Sequence, residues 1–135
     1  MIILPKHANK PLVFGLSSKE FQCNCSFDEC LFTLIEKELL VAYEKLRLAI
    51  NLPMHITSGF RCQRHHWENV YKKDILKITA SMHLCGGAID ISLVNLLEHF
   101  YIAEIIRMAK DSGFSFVYHD PIRQFIHCGM GRQNV

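Results

Sequence analysis

The clearest hydrophobic period along the chain begins after residue 30. Leu31, Ile35, Leu39, Ala42, Leu46 and Ala49 recur in steps of three and four, which predicts one face of a helix. Glu36, Lys37, Glu44, Lys45 and Arg47 supply solvated positions between them. Ser26-Phe27-Asp28-Glu29 reads as a capping box that opens this helix, and Asn51 with Pro53 ends it. Upstream, Pro5, Pro11 and Gly15 interrupt any period, so the first 20 residues are expected to be irregular.

Downstream the pattern shortens. Residues 54–60 predict a strand that ends at the turn-prone Ser58-Gly59. Residues 64–76 are ambiguous and compatible with a short helix carrying Trp67, Val70 and Tyr71. Residues 87–92 alternate, with Ala88, Asp90 and Ser92 on one face and Ile89 and Ile91 on the other, which predicts a strand with an unusually polar face. Asn95-Leu96-Leu97-Glu98 opens a second helix with a stripe of Leu96, Phe100, Ala103 and Ile106, and Gly113 stands where a C-terminal cap belongs. Strand-like runs at 114–118 and 124–128 close the chain, joined by a turn through Asp120-Pro121. The expected fold is α+β, with helices flanking a small central antiparallel sheet.

Composition narrows the class. A chain of 135 residues, 50% apolar and with four prolines and seven glycines, fits one globular domain over residues 1–135 and excludes disordered or collagen-like material. Fifteen basic and thirteen acidic residues leave a net charge of +2, too little for a dedicated nucleic-acid binder. The longest stretch without Asp, Glu, Lys or Arg, residues 48–60, is broken by Asn51, Pro53 and His55 and is too short to span a membrane. Residues 12–16 are short for the apolar part of a signal peptide and no Ala-x-Ala site follows, so no export address is expected.

Six cysteines and eight histidines are many for this length. Three disulfides and six reduced thiols are both open. The spacing Cys23-x-Cys25-x4-Cys30 fits no common structural zinc pattern, Cys62, Cys85 and Cys128 are scattered, and Cys23, Cys25 and Cys30 are expected to be packing or disulfide residues.

The most informative segment is Ser81-Met82-His83-Leu84-Cys85-Gly86-Gly87-Ala88-Ile89-Asp90, of the form Ser-x-His-x-x-Gly-x-Ala-x-Asp. A histidine at the lip of a strand and an aspartate seven residues on, inside it, can converge on one cation. This segment resembles the signature of the zinc D-Ala-D-Ala carboxypeptidases and endolysins, the M15 peptidases with a hedgehog/DD-peptidase fold. His55-Ile56-Thr57-Ser58-Gly59-Phe60-Arg61 is similar to that family's ITSGYR strand and turn, and Glu20-Phe21-x-Cys23-x-Cys25 to the EFxCxC opening of its smaller members.

The resemblance implies a single domain that holds Zn2+ through His83, Asp90 and His127, the last in Phe125-Ile126-His127. It implies that Arg61 binds the substrate and stabilises the oxyanion, a task suited to its fixed fork of donors. Ser81 is then a substrate-binding candidate, although a simple turn cap is an equal use for it. The implied partner is a peptidoglycan stem peptide, cut at a D-alanyl or L-alanyl-D-amino-acid bond by a protein expected to be monomeric. That substrate implies the cell envelope, while release by a phage-type lysis system and a cytoplasmic role both remain open.

Two departures bear on activity. Many members place a Glu three residues before the last histidine ligand, others a His two before it, and this chain has Gln124 and Phe125 there. Neither can serve as a general base. His119 and Asp120, in the turn before the last strand, are the nearest titratable substitutes. Loss of the base leaves a non-catalytic zinc- or peptide-binding module as the alternative. Between Arg61 and Ser81, His66 and Tyr71-Lys72-Lys73-Asp74 replace the Asn and Gly-Gly pair of many smaller relatives.

Overall fold

The computed structural model describes residues 1–67 and 81–131. Its centre is a four-stranded antiparallel sheet of β5 (Ile56–Ser58), β6 (Ala88–Ser92), β7 (Phe116–Asp120) and β8 (Phe125–Gly129), in the order β5-β6-β8-β7. Two two-stranded sheets accompany it: β1 (Ile2–Pro5) with β4 (Phe32–Ile35), and β2 (Pro11–Val13) with β3 (Leu16–Ser17). Four α-helices are described, α1 (Ser18–Phe21), α2 (Lys37–Ile50), α3 (Gln63–His66) and α4 (Ile102–Ser112). The expected α+β class with a small antiparallel sheet is therefore what folds.

The N-terminal third corrects the expectation. The first 20 residues form three strands and a short helix; Ser26-Phe27-Asp28-Glu29, expected to open the long helix, lies in a loop and turn, and residues 32–35 of that expected helix are strand β4, with Ile2 paired to Ile35 and Leu4 to Thr33. Phe32-Thr33-Leu34-Ile35 is rich in aromatic and β-branched side chains, and pairing with β1 outweighs the helical spacing of Leu31 and Ile35. Helix α2 starts only at Lys37, buries Leu39, Leu40, Ala42, Tyr43, Leu46 and Ile50, and leaves Ala49 exposed. Asn51 ends it in a left-handed cap (φ 55°) whose N–H donates to the Arg47 carbonyl.

The second helix is also interrupted. A 3-10 turn over Leu96–Glu98 comes first, and α4 begins only at Ile102. Its buried residues are Ile105, Ala109 and Ser112, while Ala103 is exposed; Gly113 caps it at φ 120°. Strands β7 and β8 each run one or two residues beyond their expected ends. The ambiguous segment yields the four-residue α3, and its remainder over 68–76 lies outside the described residues.

Helices α2 and α4 pack on each other, α4 also packs against β7, and the buried side chains of both join those of the central sheet in one core. Ile89 and Ile91 from β6 meet Ile126 and Cys128 from β8 in that core, all fully buried. Because side chains alternate along a strand, Ala88, Asp90 and Ser92 must point to the opposite face together with Phe125 and His127. The polar face of β6 is thus the back of the hydrophobic core.

Candidate metal centre

The sheet register sets the first pair: Asp90 lies directly across from His127. Oδ1 of Asp90 is 2.9 Å from Nδ1 of His127. The third member arrives on a 3-10 turn, Met82–Cys85, just before β6. Ser81 caps this turn, its hydroxyl accepting the His83 N–H at 3.2 Å. The turn closes on Gly86 in a left-handed conformation (φ 74°), where any Cβ would run into the backbone of Leu34. Nε2 of His83 then lies 3.2 Å from Nδ1 of His127 and 3.3 Å from Oδ1 of Asp90.

His83 is oriented from behind. Its Nδ1 is 2.6 Å from the carbonyl of Gly59. A carbonyl only accepts, so the ring proton sits on Nδ1 and Nε2 turns a lone pair toward the other two donors. Burial pushes the His83 ring below its usual range, with Asp90 opposing and Arg61 reinforcing the shift, so the ring is neutral near pH 7. Burial also opposes ionisation of Asp90, but the His127 and His83 rings outweigh it and hold the carboxyl well below the usual carboxylate range. Two imidazoles and a carboxylate, their donor atoms within 4.8 Å of one another, could hold a metal ion.

Arg61 closes one side. Its backbone N–H donates to the His83 carbonyl at 3.1 Å, and Nη2 stands 4.0 Å from Oδ2 of Asp90. Nη1 donates to Nδ1 of His66 at 3.3 Å, and Nη2 to the Ser58 hydroxyl at 3.4 Å. Burial lowers the Arg61 guanidinium, Asp90 raises it, and it remains charged at any ordinary pH.

The family profile described as Peptidase M15 matches residues 15–129. The chain belongs to the M15 peptidase family. A comparison with curated proteins returns no match. M15 peptidases depend on zinc, and the His83–Asp90–His127 group of this member offers the nitrogen and oxygen donors that zinc accepts.

His83, Asp90 and His127 converge, but His119 and Asp120, the titratable residues expected to stand in for a general base, do not join them. His119 pairs with Ile126, whose side chain belongs to the core, so it lies on the opposite face of the sheet from His127. Asp120 shares the site's face at the Phe125 position, yet its Oδ1 accepts the N–H groups of Ile122 and Arg123 and so closes the turn. Gln124 adopts φ 61° in that turn and donates its side-chain amide to the Pro121 carbonyl at 3.4 Å. Residues 71–74 lie outside the described residues.

Two features escaped the sequence pattern. His66 is buried against Arg61, a placement that the ambiguous pattern of residues 64–76 did not predict. Cys62 is not scattered: its sulfur lies with those of Cys23, Cys25 and Cys30. All six cysteines are free thiols.

Proposed function

We propose that this M15 peptidase is a zinc-dependent hydrolase of peptidoglycan stem peptides, cutting D-alanyl or L-alanyl-D-amino-acid bonds as a carboxypeptidase or endopeptidase. The proposal includes a hedgehog/DD-peptidase type of fold, a single domain over residues 1–135 and action as a monomer. One observation carries it: the three donor atoms stand 2.9, 3.2 and 3.3 Å apart. Ligands at about 2.0–2.1 Å from a tetrahedral zinc stand about 3.3–3.4 Å apart, so His83, Asp90 and His127 would need little movement.

Zinc held there would act as a Lewis acid on the scissile carbonyl and would acidify the attacking water. The chain's own residues do the rest. Gly59 fixes the tautomer of His83. Arg61, charged and half-fixed by His66 and Ser58, offers its fork to the peptide carboxylate or to the oxyanion that develops on the carbonyl oxygen. Ser81 supports this arrangement by holding the His83 turn, and a direct contact with substrate is a second use of its side chain. Asp120 is a better placed proton shuttle than His119, because it shares the sheet face of the metal group.

A second reading is a non-catalytic zinc- or peptide-binding module of the same fold. The Gln124 side chain, turned back onto Pro121, favours it. The deciding measurement is release of D-alanine or stem fragments from purified peptidoglycan, with metal content measured alongside. The peptidase reading expects release that a chelator abolishes, zinc restores and His127→Ala lacks. Zinc lost on His127→Ala without any cleavage by the parent protein would leave the binding module.

A further inference from the structure

Away from the His83–Asp90–His127 group, four thiols converge. Cys23, Cys25 and Cys30 come from the segment between α1 and β4, and Cys62 comes from the N-terminal cap of α3, more than thirty residues later. Their sulfur atoms all lie within 4.8 Å of one another. The Cys25–Cys62 separation is 3.7 Å. A disulfide requires about 2.05 Å, whereas two sulfurs on a tetrahedral zinc, each at about 2.3 Å, stand about 3.8 Å apart.

The surroundings suit thiolates. The Cys62 N–H donates to the Cys23 sulfur at 3.4 Å, and the His65 N–H donates to the Cys62 sulfur at 3.4 Å. The ammonium of Lys6, a residue only 5% exposed, donates to the Cys25 sulfur at 3.2 Å and to the Cys25 carbonyl at 2.7 Å. A buried ammonium is costly without negative charge beside it. Zinc on four thiolates would carry two excess negative charges and would set that charge beside the Lys6 ammonium. A cleft of about 410 Å³ lined by Lys6, Cys25, Phe27 and Cys30 gives an ion a way in.

We infer that Cys23, Cys25, Cys30 and Cys62 form a second, structural zinc site, separate from the His83–Asp90–His127 group. With four protein ligands the site is closed and binds no substrate. Its function is mechanical. It ties the segment before β4 to Cys62, the neighbour of Arg61, whose N–H holds the His83 carbonyl. The ligand spacing escapes common zinc patterns because the fourth cysteine comes from another part of the fold.

The test is metal analysis and X-ray absorption at the zinc edge on the whole chain, purified under reducing conditions without chelator. The inference expects about two zinc ions per chain and a population of zinc with sulfur neighbours at about 2.3 Å. A Cys25→Ser, Cys62→Ser double variant should lose the sulfur shell and about half of the zinc, and His83→Ala should lose the nitrogen–oxygen shell instead. The spectrum of the unmutated protein decides even if a variant fails to fold. Zinc with sulfur neighbours only would support this site while removing the proposed catalytic one. Zinc with nitrogen and oxygen neighbours only, or mapping of these four cysteines as disulfides, would overturn the inference and leave the peptidase reading intact.

Discussion

The side chain of His83 donates its Nδ1–H to the backbone carbonyl of Gly59 across 2.6 Å, joining the 3-10 turn before β6 to the end of β5. Gly59 can present that carbonyl because it lacks a Cβ. One added there would stand 2.6 Å from the carbonyl oxygen and ring of Phe21, a fully buried residue that also accepts the Phe60 N–H at 2.7 Å. Gly59→Ala should therefore cost about 1–3 kcal/mol through overpacking. It should also weaken zinc binding at the histidine site by about 10–100-fold, because the support behind a ligand is displaced. Chemical denaturation and zinc competition against a chelator measure the two effects, and unchanged zinc affinity would separate Gly59 from the orientation of His83.

Arg61 is expected to act through its geometry as well as its charge. Its two terminal nitrogens are divided between His66 and Ser58 on one side and Asp90 on the other, at 3.3, 3.4 and 4.0 Å. Lysine keeps the charge but cannot make these contacts together. Arg61→Lys should lower kcat/KM on stem peptides by about 10²–10³-fold, the size of losing an oxyanion donor. Thermal unfolding and zinc content should change little. A full retention of kcat/KM would reduce Arg61 to a point charge.

Much of this site was legible because its residues are close in sequence or on strands with a clear period. The alternation of Ala88, Asp90 and Ser92 against Ile89 and Ile91 marked β6 and gave Asp90 its face. The spacing of His83 to Asp90 marked the turn that precedes it. What escaped depends on contacts between distant parts of the chain. Leu31 and Ile35 continue the helical period of α2, yet β1 captures 32–35 because edge-to-edge pairing satisfies backbone groups that the sequence pattern does not record. Cys62 looks isolated until α3 carries it to the 23–30 segment. His119 looked as near to His127 as Asp120 did, and only the β7–β8 register separates their faces.

Tyr43 should make the protein sensitive to alkali. Its hydroxyl donates to the Gly15 carbonyl at 3.0 Å inside the core. Burial pushes its ionisation up to about 12, assisted by Glu20 and opposed by Arg47. In the unfolded chain a tyrosine ionises near pH 10. The folded state thus keeps a proton that the unfolded state has lost, so Tyr43's contribution is complete below about pH 10 and falls as pH rises towards about 12. Tyr43→Phe should lose about 1 kcal/mol with the hydrogen bond at neutral pH, and lose stability less steeply above pH 10. Denaturation midpoints of both proteins across that range measure it, and parallel alkaline slopes would rule out Tyr43 as the cause.

Gln124 offers the sharpest test of whether proton transfer limits this protein. It stands three residues before His127, where many M15 peptidases carry the general base as a Glu. Here its amide donates to Pro121 at 3.4 Å. A carboxylate cannot donate, so Gln124→Glu removes that attachment and replaces an amide with a proton acceptor in one step. General bases contribute about 10²–10⁴-fold to rate. If the missing base is what restrains hydrolysis, Gln124→Glu should raise stem-peptide cleavage by at least about tenfold, with a new dependence on a group ionising in the acid range. The φ of 61° at this position is unchanged by the substitution, so stability should shift little. Cleavage that stays at the parent level, with zinc content and folding intact, would mean that the proton is already handled elsewhere or that the bond is not cut at all. The parent protein's own rate decides between those two: measurable release leaves Asp120 to be tested by Asp120→Asn, and none leaves a protein that binds its peptide without hydrolysing it.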